Sequence, residues 1–369
     1  MSTPEPQSAV PPLNEIYFYL TEGCNLRCRH CWIMTETASA PASTSKTMLD
    51  LPLFESILEQ ARPLGLNAVK LTGGEPFLHP QISRMLEIIK GTDIRLVMET
   101  NGVLLTPALA SQVASCTRPF LSVSLDGVDP ETHEWVRQVP GSFQAALRGI
   151  GYLVEAGVSP QIIFTVMQKN RDQVADIVRL AQELQAESVK FNILQPSPRG
   201  DKMREEGETL DLPEIIEMGR WVEHELAASV DIPLIFSSPA AFRPLKRVFG
   251  KKGGRSVCGI RGIIGVLADG SYALCGIGSS IDELVFGHAS RDALADVWQT
   301  HPVLQEIREG LPQRLGGICA ECFMQPVCLG YCLAQNYYIS RNLWTPYWLC
   351  RQAEAAGLFP ESRRRPALS

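Results

Sequence analysis

Apolar runs and helical periodicities alternate along the first two thirds of the chain. Six runs rich in β-branched and aromatic residues, each near a turn signal, predict strands at 16–20, 68–72, 95–100, 121–125, 162–167 and 189–194. Between and after them, apolar residues recur every three or four positions, which predicts helices over 51–65, 79–91, 106–116, 142–157, 171–185 and 211–228. Such alternation favours a parallel sheet with right-handed crossovers, either doubly wound or an incomplete barrel. Ligands of these sheets bind where strands end, so we expect the chemistry there.

The pattern changes after residue 235. A stretch rich in Pro, Gly and basic residues follows, and beyond it the helical periodicity weakens while cysteines become frequent. We therefore divide the chain into five parts. These are a flexible N-terminal tail over 1–14, a core over 15–235, a linker over 236–257, a cysteine-rich domain over 258–353 and a C-terminal tail over 354–369.

Composition and charge exclude several classes of partner. The 369-residue chain is 45% hydrophobic and carries a net charge of −6, which leaves no basic surface for nucleic acid or an anionic membrane. The first residues lack the profile of a secretion signal, and no apolar run approaches the roughly 18 residues of a membrane span. We expect a cytoplasmic protein with no nucleic-acid and no membrane partner.

Eleven cysteines are unusual in such a chain, because disulfides are disfavoured in the cytoplasm. Three of them fall in 24–31 and seven in 258–350, and clusters with short fixed gaps indicate metal. Cys116 stands alone, and we expect it to be a buried thiol.

The first cluster follows the first predicted strand directly. It reads Cys24-x3-Cys28-x2-Cys31, which supplies three thiolates within eight residues. A fourth ligand from elsewhere in the chain would complete the coordination of the metal site. Without it, one metal ion would keep a coordination position free for substrate. The spacing alone also fits a zinc site, with His30 as a further ligand.

Other notable motifs also lie at strand ends. LTGGEP ends the second strand, ETNG the third and SLDG the fourth, and NILQPSPRG ends the sixth. Together with the three cysteines these motifs resemble the radical S-adenosylmethionine (radical SAM) enzymes. The resemblance implies that the three cysteines hold a [4Fe–4S] cluster whose open iron takes S-adenosyl-L-methionine. One electron then splits the sulfonium and yields a 5′-deoxyadenosyl radical.

The resemblance also implies roles for residues outside the cysteine loop. The GGEP motif would contact the amino group of S-adenosylmethionine, Ser124 and Arg137 its carboxylate, and the backbone of Leu194 its adenine. The cofactor-binding residues expected on this basis are Gly73, Gly74, Glu75, Pro76, Asn101, Ser124, Arg137 and Leu194.

The C-terminal cysteines form a second pattern. Cys258, Gly270, Cys275, a Cys-x2-Cys-x5-Cys-x3-Cys run and Cys350 resemble the SPASM domain, an auxiliary-cluster module of many radical SAM enzymes. By that resemblance one auxiliary cluster takes Cys319, Cys322, Cys328 and Cys350, and the other takes Cys258, Cys275 and Cys332. The chain would thus hold three [4Fe–4S] clusters. We expect three protein ligands at the cluster of Cys258, Cys275 and Cys332, and Asp269, His288 and nearby acids are the candidates for a further one.

The resemblance implies a partial (β/α)6 TIM-like barrel followed by a small cysteine-rich SPASM domain. SPASM enzymes mostly modify ribosomally made peptides, so our leading hypothesis is a maturase that oxidatively modifies a precursor peptide. Gly276 after Cys275 counts against formylglycine formation, which would need an acid there. Cys24 comes too early for an N-terminal peptide-recognition domain, so any leader-binding protein would be separate.

Further partners and alternatives follow from the same resemblance. The enzyme would need an external low-potential electron donor of flavodoxin or ferredoxin type. A haem-precursor or redox-cofactor biosynthetic enzyme remains an alternative. A non-enzymatic zinc-binding scaffold is the alternative from another class.

Overall fold

A computed structural model describes residues 10–33, 47–250, 258–276 and 281–366. Its strands form one ten-stranded sheet in the order β10-β9-β8-β1-β2-β3-β4-β5-β6-β7. The strands β1 to β10 are Glu15–Tyr19, Ala68–Thr72, Arg95–Thr100, Phe120–Ser124, Gln161–Val166, Ser188–Ile193, Leu234–Phe236, Ile263–Val266, Ser271–Ala273 and Val285–His288.

Helices connect most of these strands and continue into the C-terminal region. The α-helices α1 to α15 are Leu51–Ala61, Ile82–Lys90, Pro107–Ala114, Pro130–Arg137, Ser142–Glu155, Val174–Glu183, Pro198–Glu205, Leu212–His224, Leu245–Phe249, Leu294–Thr300, Pro302–Gly310, Ile318–Glu321, Gln325–Cys328, Leu333–Ser340 and Trp348–Ala355. Short 3-10 helices lie at Arg62–Leu64, Pro76–Leu78, Gln168–Gln173, Leu226–Ala228, Ala240–Phe242, Asp282–Leu284 and Glu361–Arg363.

The strands β1 to β7 are parallel, and the helices between them cover one face of the sheet. Phe18 of β1 is fully buried on that face, where its ring centroid lies 4.7 Å from that of Phe54 in α1. Tyr17 precedes Phe18, so its side chain points to the opposite, inner face, where Lys70 Nζ lies 4.8 Å from the Tyr17 ring centroid. This alternation puts apolar residues under the helices and polar residues on the inside.

The sheet has more strands than the six predicted, and the additional strands lie on both sides of it. β7 adds a seventh parallel strand beside β6, although its three residues are too few to show a periodicity in sequence. β8 pairs in parallel with β1 on the other side, and β9 and β10 extend the sheet as antiparallel strands. The cysteine-rich region therefore begins by continuing the sheet of the core.

Within the core, two helices were missing from the sequence analysis. α4 and α7 are both polar, so they have little apolar periodicity, although each starts with a cap residue followed by Pro. In α4 the Asp129 side chain accepts a hydrogen bond from the Thr132 amide, and in α7 Ser197 accepts one from the Gly200 amide.

The described part of the predicted linker packs against the core. Arg243 forms a buried ion pair with Glu223 of α8 at 2.7 Å, and both side chains are at most 4% exposed. The rest of the linker, 251–257, lies outside the described residues. The Pro and basic residues that indicated a linker thus include one arginine that is buried because its charge is paired.

The predicted tails also pack over part of their length. Leu13 is fully buried, and the Trp298 indole donates a hydrogen bond to the Pro11 carbonyl at 3.0 Å. Phe359, beyond the predicted C-terminal boundary, is buried as well. Within the described residues, no helix is long and apolar enough to cross a membrane.

Candidate functional site

The loop after β1 carries Cys24, Cys28 and Cys31 and is held against the end of α4. The backbone amides of Arg27 and Arg29 donate hydrogen bonds of 3.1 and 2.9 Å to carbonyls of the last two residues of α4. The Cys31 amide donates to the Cys28 carbonyl at 3.3 Å and closes a turn between two of the thiols. The loop conformation is therefore fixed by backbone contacts that do not depend on the thiols.

The three thiols make a donor set suited to an iron–sulfur cluster. Burial, and then the neighbouring Cys28 thiol, raise the pKa of Cys24 to about 12. Burial also raises the pKa of Cys28, against the opposing effect of the Arg137 guanidinium. A cationic cluster would supply the positive charge that three adjacent buried thiolates need. The described residues hold no group of three or more His, Cys, Asp or Glu side chains arranged around a single ion.

The two glycines of the GGEP motif let its loop close on the cysteine loop. The Gly74 amide donates to the Thr21 carbonyl at 2.7 Å, and a Cβ at Gly74 would lie 2.0 Å from the Gly23 carbonyl oxygen. Gly73 has a φ of +128°, and a Cβ there would lie 2.7 Å from the Thr21 oxygen. The missing side chains at these two positions thus serve close contacts between protein loops.

Glu75 is buried beside the cysteine loop and accepts three hydrogen bonds. Its carboxylate accepts from the Thr100 hydroxyl at 2.7 Å, the Asn101 amide at 2.8 Å and the Phe77 amide at 3.1 Å. Burial raises the pKa of Glu75 to about 7, although these hydrogen bonds act in the opposite direction. Pro76 then starts a short 3-10 helix. The carboxyl is thus placed to change its charge when a cation binds.

Asn101 joins the end of β3 to the cysteine loop. Its side-chain amide donates to the Asn25 side chain at 2.8 Å and lies 3.9 Å from the Cys24 sulfur. Its side-chain oxygen accepts from the Val103 amide at 2.9 Å. The strand ends of β2 and β3 and the cysteine loop therefore meet at one place, as the parallel sheet predicts.

Arg137 forms an ion pair that the sequence analysis missed. One guanidinium nitrogen lies 2.6 Å from Asp126, and another donates to the Cys28 sulfur at 3.4 Å. Asp126 also contacts the His30 ring at 2.9 Å. Ser124 is the last residue of β4, two residues before Asp126, and is partly buried. The Asp of the SLDG motif was the available signal, since a carboxylate at a strand end faces the site.

The charges of this pair are mutually stabilised. Burial alone would raise the pKa of Asp126, but the Arg137 guanidinium and His30 hold the pKa of Asp126 well below its usual range. The Arg137 Nε is buried and has no hydrogen-bond partner among the described residues. Arg137 is therefore already bound to Asp126 and Cys28, and its Nε remains available for another acceptor.

Leu194 follows β6 and is buried in a small apolar cluster with Val136, Met167 and Met203. It also lines a cleft of about 360 Å³ at the end of the sheet. In the next turn of chain, Arg199 donates a hydrogen bond to the Cys28 carbonyl at 2.8 Å. The loop expected at the adenine therefore contacts the cysteine loop.

Four C-terminal cysteines surround one small cavity. Cys319, Cys322, Cys328 and Cys350 all line it, with mainly apolar neighbours. Burial and then the other three thiols hold the pKa of Cys350 well above its usual range. Four converging thiols fit a complete ligand set for one [4Fe–4S] cluster.

The other three lie together beside β1. Burial and then the thiols of Cys332 and Cys275 raise the pKa of Cys258. A Cβ added at Gly276 would lie 2.4 Å from the Tyr19 ring, so the chain after Cys275 is packed against β1. Cys332 is only four residues from Cys328 but belongs to this second group. The structure therefore brings the seven thiols together as one group of four and one group of three.

The two candidates for a further ligand of this group are engaged elsewhere. The His288 ring contacts the Asp269 carbonyl at 2.7 Å and the Ser290 hydroxyl at 2.9 Å. The Asp269 carboxylate accepts hydrogen bonds from Ser271. Cys116 is buried and its thiol donates to the Leu86 carbonyl at 3.6 Å, as expected of a structural thiol.

A cavity lies between the end of β1 and the chain after β9. It has a volume of about 550 Å³, and Tyr19, Thr21, Gly73 and Gly276 are among its lining residues. It thus borders both the GGEP loop and the residue after Cys275.

Comparisons with known families identify the chain. Residues 18–181 match the radical SAM superfamily, and residues 258–323 match the SPASM iron–sulfur cluster-binding domain. The chain is a radical SAM enzyme with a C-terminal SPASM domain. S-adenosyl-L-methionine and [4Fe–4S] clusters, including auxiliary SPASM clusters, are therefore its cofactors. The α/β fold is the parallel sheet of a radical SAM partial barrel followed by the cysteine-rich region.

Two of the curated relatives have different activities. An AdoMet-dependent heme synthase of Methanosarcina barkeri is 29% identical, over 87% of this chain and 91% of its own. The mycofactocin maturase MftC of Mycolicibacterium smegmatis is 27% identical, over 94% of this chain and 85% of its own.

Solved structures support the fold alone. SuiB of Streptococcus suis bound to S-adenosylmethionine aligns over 93% of this enzyme and 78% of its own chain, with a TM-score of 0.71 and 18% identity. The structure of anSMEcpe with bound AdoMet and a Kp18Cys peptide aligns over 93% and 95%, with a TM-score of 0.70 and 16% identity.

Proposed function

We propose that this enzyme oxidatively modifies a ribosomally made precursor peptide. The observation that carries the oxidative part is the second thiol group, Cys258, Cys275 and Cys332, which lies beside β1, the strand that leads into the cysteine loop. The peptide part is supported by the similarity to the mycofactocin maturase over 94% of the chain.

The bound cofactors would supply a 5′-deoxyadenosyl radical, which takes a hydrogen atom from the substrate. We assign the binding of S-adenosylmethionine to residues at the ends of the strands. Glu75 would hold the amino group, Ser124 and the Arg137 Nε the carboxylate, and the Leu194 backbone the adenine. The GGEP glycines and Asn101 would position this set against Cys24.

An oxidative change requires the substrate to lose a second electron and a proton after the hydrogen atom has left. An auxiliary cluster held by the three thiols beside β1 would accept that electron, and the four-thiol site would pass it outward. A flavodoxin or ferredoxin type donor would provide the first electron. We propose three [4Fe–4S] clusters in total.

The position of Gly276 supports excluding formylglycine formation. A Cβ there would overlap the Tyr19 ring, so the acid that this chemistry would need after Cys275 has no space.

A second candidate is the oxidation of a haem precursor. It is favoured by the AdoMet-dependent heme synthase of Methanosarcina barkeri, at 29% identity over 87% of the chain. Both candidates use the same radical site and differ in substrate.

The test uses anaerobically reconstituted enzyme with dithionite and S-adenosylmethionine. We expect about twelve irons per chain and release of 5′-deoxyadenosine. Cys28→Ala should abolish this release, whereas Cys332→Ala should keep it and stop product formation. Peptides encoded by short reading frames beside the gene, and iron-coproporphyrin III, serve as the two substrates, with mass spectrometry of the products. If the enzyme binds zinc and no iron, the assignment of [4Fe–4S] clusters is wrong. If it converts iron-coproporphyrin III and none of the peptides, the proposed peptide substrate is wrong.

A further inference from the structure

The inner face of the sheet carries charged side chains below the cysteine loop. Lys70 and Glu99 form an ion pair at 2.6 Å across β2 and β3, and Lys70 also lies over the Tyr17 ring. Lys190 lies on β6 on the same face, because it alternates with the buried Val189 and Phe191. Glu15 of β1 lies on the same face and within electrostatic reach of Lys70 and Glu99, so two ammonium groups here face two carboxylates.

These side chains are reachable by solvent although they lie inside the sheet. The Glu99 side chain keeps 33% of its surface exposed, and that of Lys70 keeps 18%. Barrel interiors are ordinarily filled by packed branched side chains. A charged and partly exposed interior therefore indicates space for a ligand rather than a packed core.

Of the two ammonium groups, that of Lys190 has no fixed partner. No hydrogen bond or salt bridge connects Lys190 to another residue in the described part of the chain, while Glu99 is already paired with Lys70. Burial lowers the pKa of Lys190, and the Glu99 carboxylate opposes that effect. Glu99 is held charged, because Lys70 and Lys190 lower its pKa against the effect of burial.

The cluster lies directly below the radical site. Glu99 precedes Asn101 by two residues on the same face, so the two are about 7 Å apart along the strand. The Asn101 amide lies 3.9 Å from the Cys24 sulfur. A group anchored at Lys190 would thus hold the rest of its molecule next to the cofactor.

We propose that Lys190, with Lys70 and Glu99 beside it, binds a carboxylate of the substrate inside the barrel. This inference deepens the proposed function and depends on it. An ammonium group in a partly desolvated site forms an ion pair with a carboxylate, whereas an ester or amide carbonyl is only a neutral and weaker acceptor. The carboxylate belongs either to a peptide C-terminus or to a tetrapyrrole side chain, and the experiment distinguishes these sources.

The experiment measures dissociation constants on reconstituted enzyme with S-adenosylmethionine. One probe pair is coproporphyrin III and its tetramethyl ester. The other is a pool of short random peptides without Asp or Glu, with free C-terminal carboxylates or as C-terminal amides. The variants are Lys190→Met and Lys190→Arg, and Lys90→Met on the exposed end of α2 is the matched control.

We expect Lys190→Met to raise the dissociation constant for the acid form of one probe pair by about ten- to hundredfold. The ester or amide form should lose much less affinity in Lys190→Met, and Lys190→Arg should keep most of the affinity for the acid form. The probe pair that shows this difference identifies the source of the carboxylate.

Three results would overturn the inference. These are equal losses for acid and neutral forms, an unchanged affinity in Lys190→Met, or no preference for the acid form of either probe. Release of 5′-deoxyadenosine is measured in parallel. If it persists in these cases, the carboxylate site is rejected while the radical chemistry of the proposed function stands.

Discussion

At the residue scale, Asp126 connects three parts of the site. Its side chain is fully buried, contacts Arg137 at 2.6 Å and His30 at 2.9 Å, and accepts from the Thr165 amide at 2.9 Å. His30 belongs to the cysteine loop, Arg137 to α4 and Thr165 to β5. Asp126 therefore fixes the loop to the sheet, and its charge compensates a buried guanidinium.

We predict that Asp126→Asn destabilises the enzyme severely. The substitution leaves the Arg137 charge buried without its partner, and the free energy of unfolding should fall by about 3–5 kcal/mol. Urea unfolding followed by circular dichroism measures this. Glu206→Gln is the control, because its ion pair with Arg29 is 27% and 38% exposed and should contribute less than about 1 kcal/mol. Similar losses in both variants would contradict the assignment.

A second residue-scale prediction concerns Glu75 and pH. Burial raises the pKa of Glu75 to about 7 in the free enzyme, and binding of an ammonium group requires the charged carboxylate. Affinity for S-adenosylmethionine should therefore fall about tenfold for each pH unit below 7 and level off above it. Isothermal titration of wild type and Glu75→Gln between about pH 6 and 9 checks this. The variant should bind weakly with no such dependence, and an identical pH profile would exclude Glu75.

At the element scale, β8 links the cysteine-rich region to the core. It pairs with β1 on one side and β9 on the other, and the chain after β9 folds back across it. A Cβ at Gly265 in β8 would lie 2.9 Å from the Cys275 Cα. The absence of a side chain at Gly265 therefore lets Cys275 reach the three-thiol group.

We predict that Gly265→Ala removes one auxiliary cluster and leaves the others. The added methyl group must displace the Cys275 backbone, so iron content should fall by about four per chain. Iron and sulfide analysis measures this, with release of 5′-deoxyadenosine as the test of the radical site. Gly151→Ala in α5 is the control, because a Cβ there meets no atom within 4 Å. Full iron content in Gly265→Ala would contradict the prediction.

The sequence was sufficient to predict the strands and helices whose pattern of apolar residues is long enough. All six predicted strands occur within one residue of their predicted bounds, because each has four or more alternating or apolar positions. β7 was missed because it has three residues, and α4 because its exposed face leaves few apolar positions. In the site, the spacing of the cysteines was visible in sequence, but the Asp126–Arg137 ion pair depends on tertiary contact between β4 and α4.

At the scale of the whole molecule, the core and the cysteine-rich region share one sheet. The buried Ile263, Ile264 and Val266 of β8 cover the edge that β1 would otherwise expose. The interleaved thiols add a second connection, since Cys332 belongs with Cys258 and Cys275 while its neighbour Cys328 belongs with the four-thiol cavity. The two regions are therefore parts of one folding unit.

This arrangement predicts that the core is not stable by itself. A chain ending at Gly250 would expose the unpaired backbone groups of β1 along an open edge of the sheet, which favours association with other chains. We expect it to form aggregates in size-exclusion chromatography with light scattering, even after anaerobic reconstitution. A chain ending at Pro366 keeps β8 to β10 and is the control, which should elute as the full-length enzyme does. A dispersed 1–250 chain with the far-ultraviolet circular dichroism of a folded barrel would show that the core folds independently of β8.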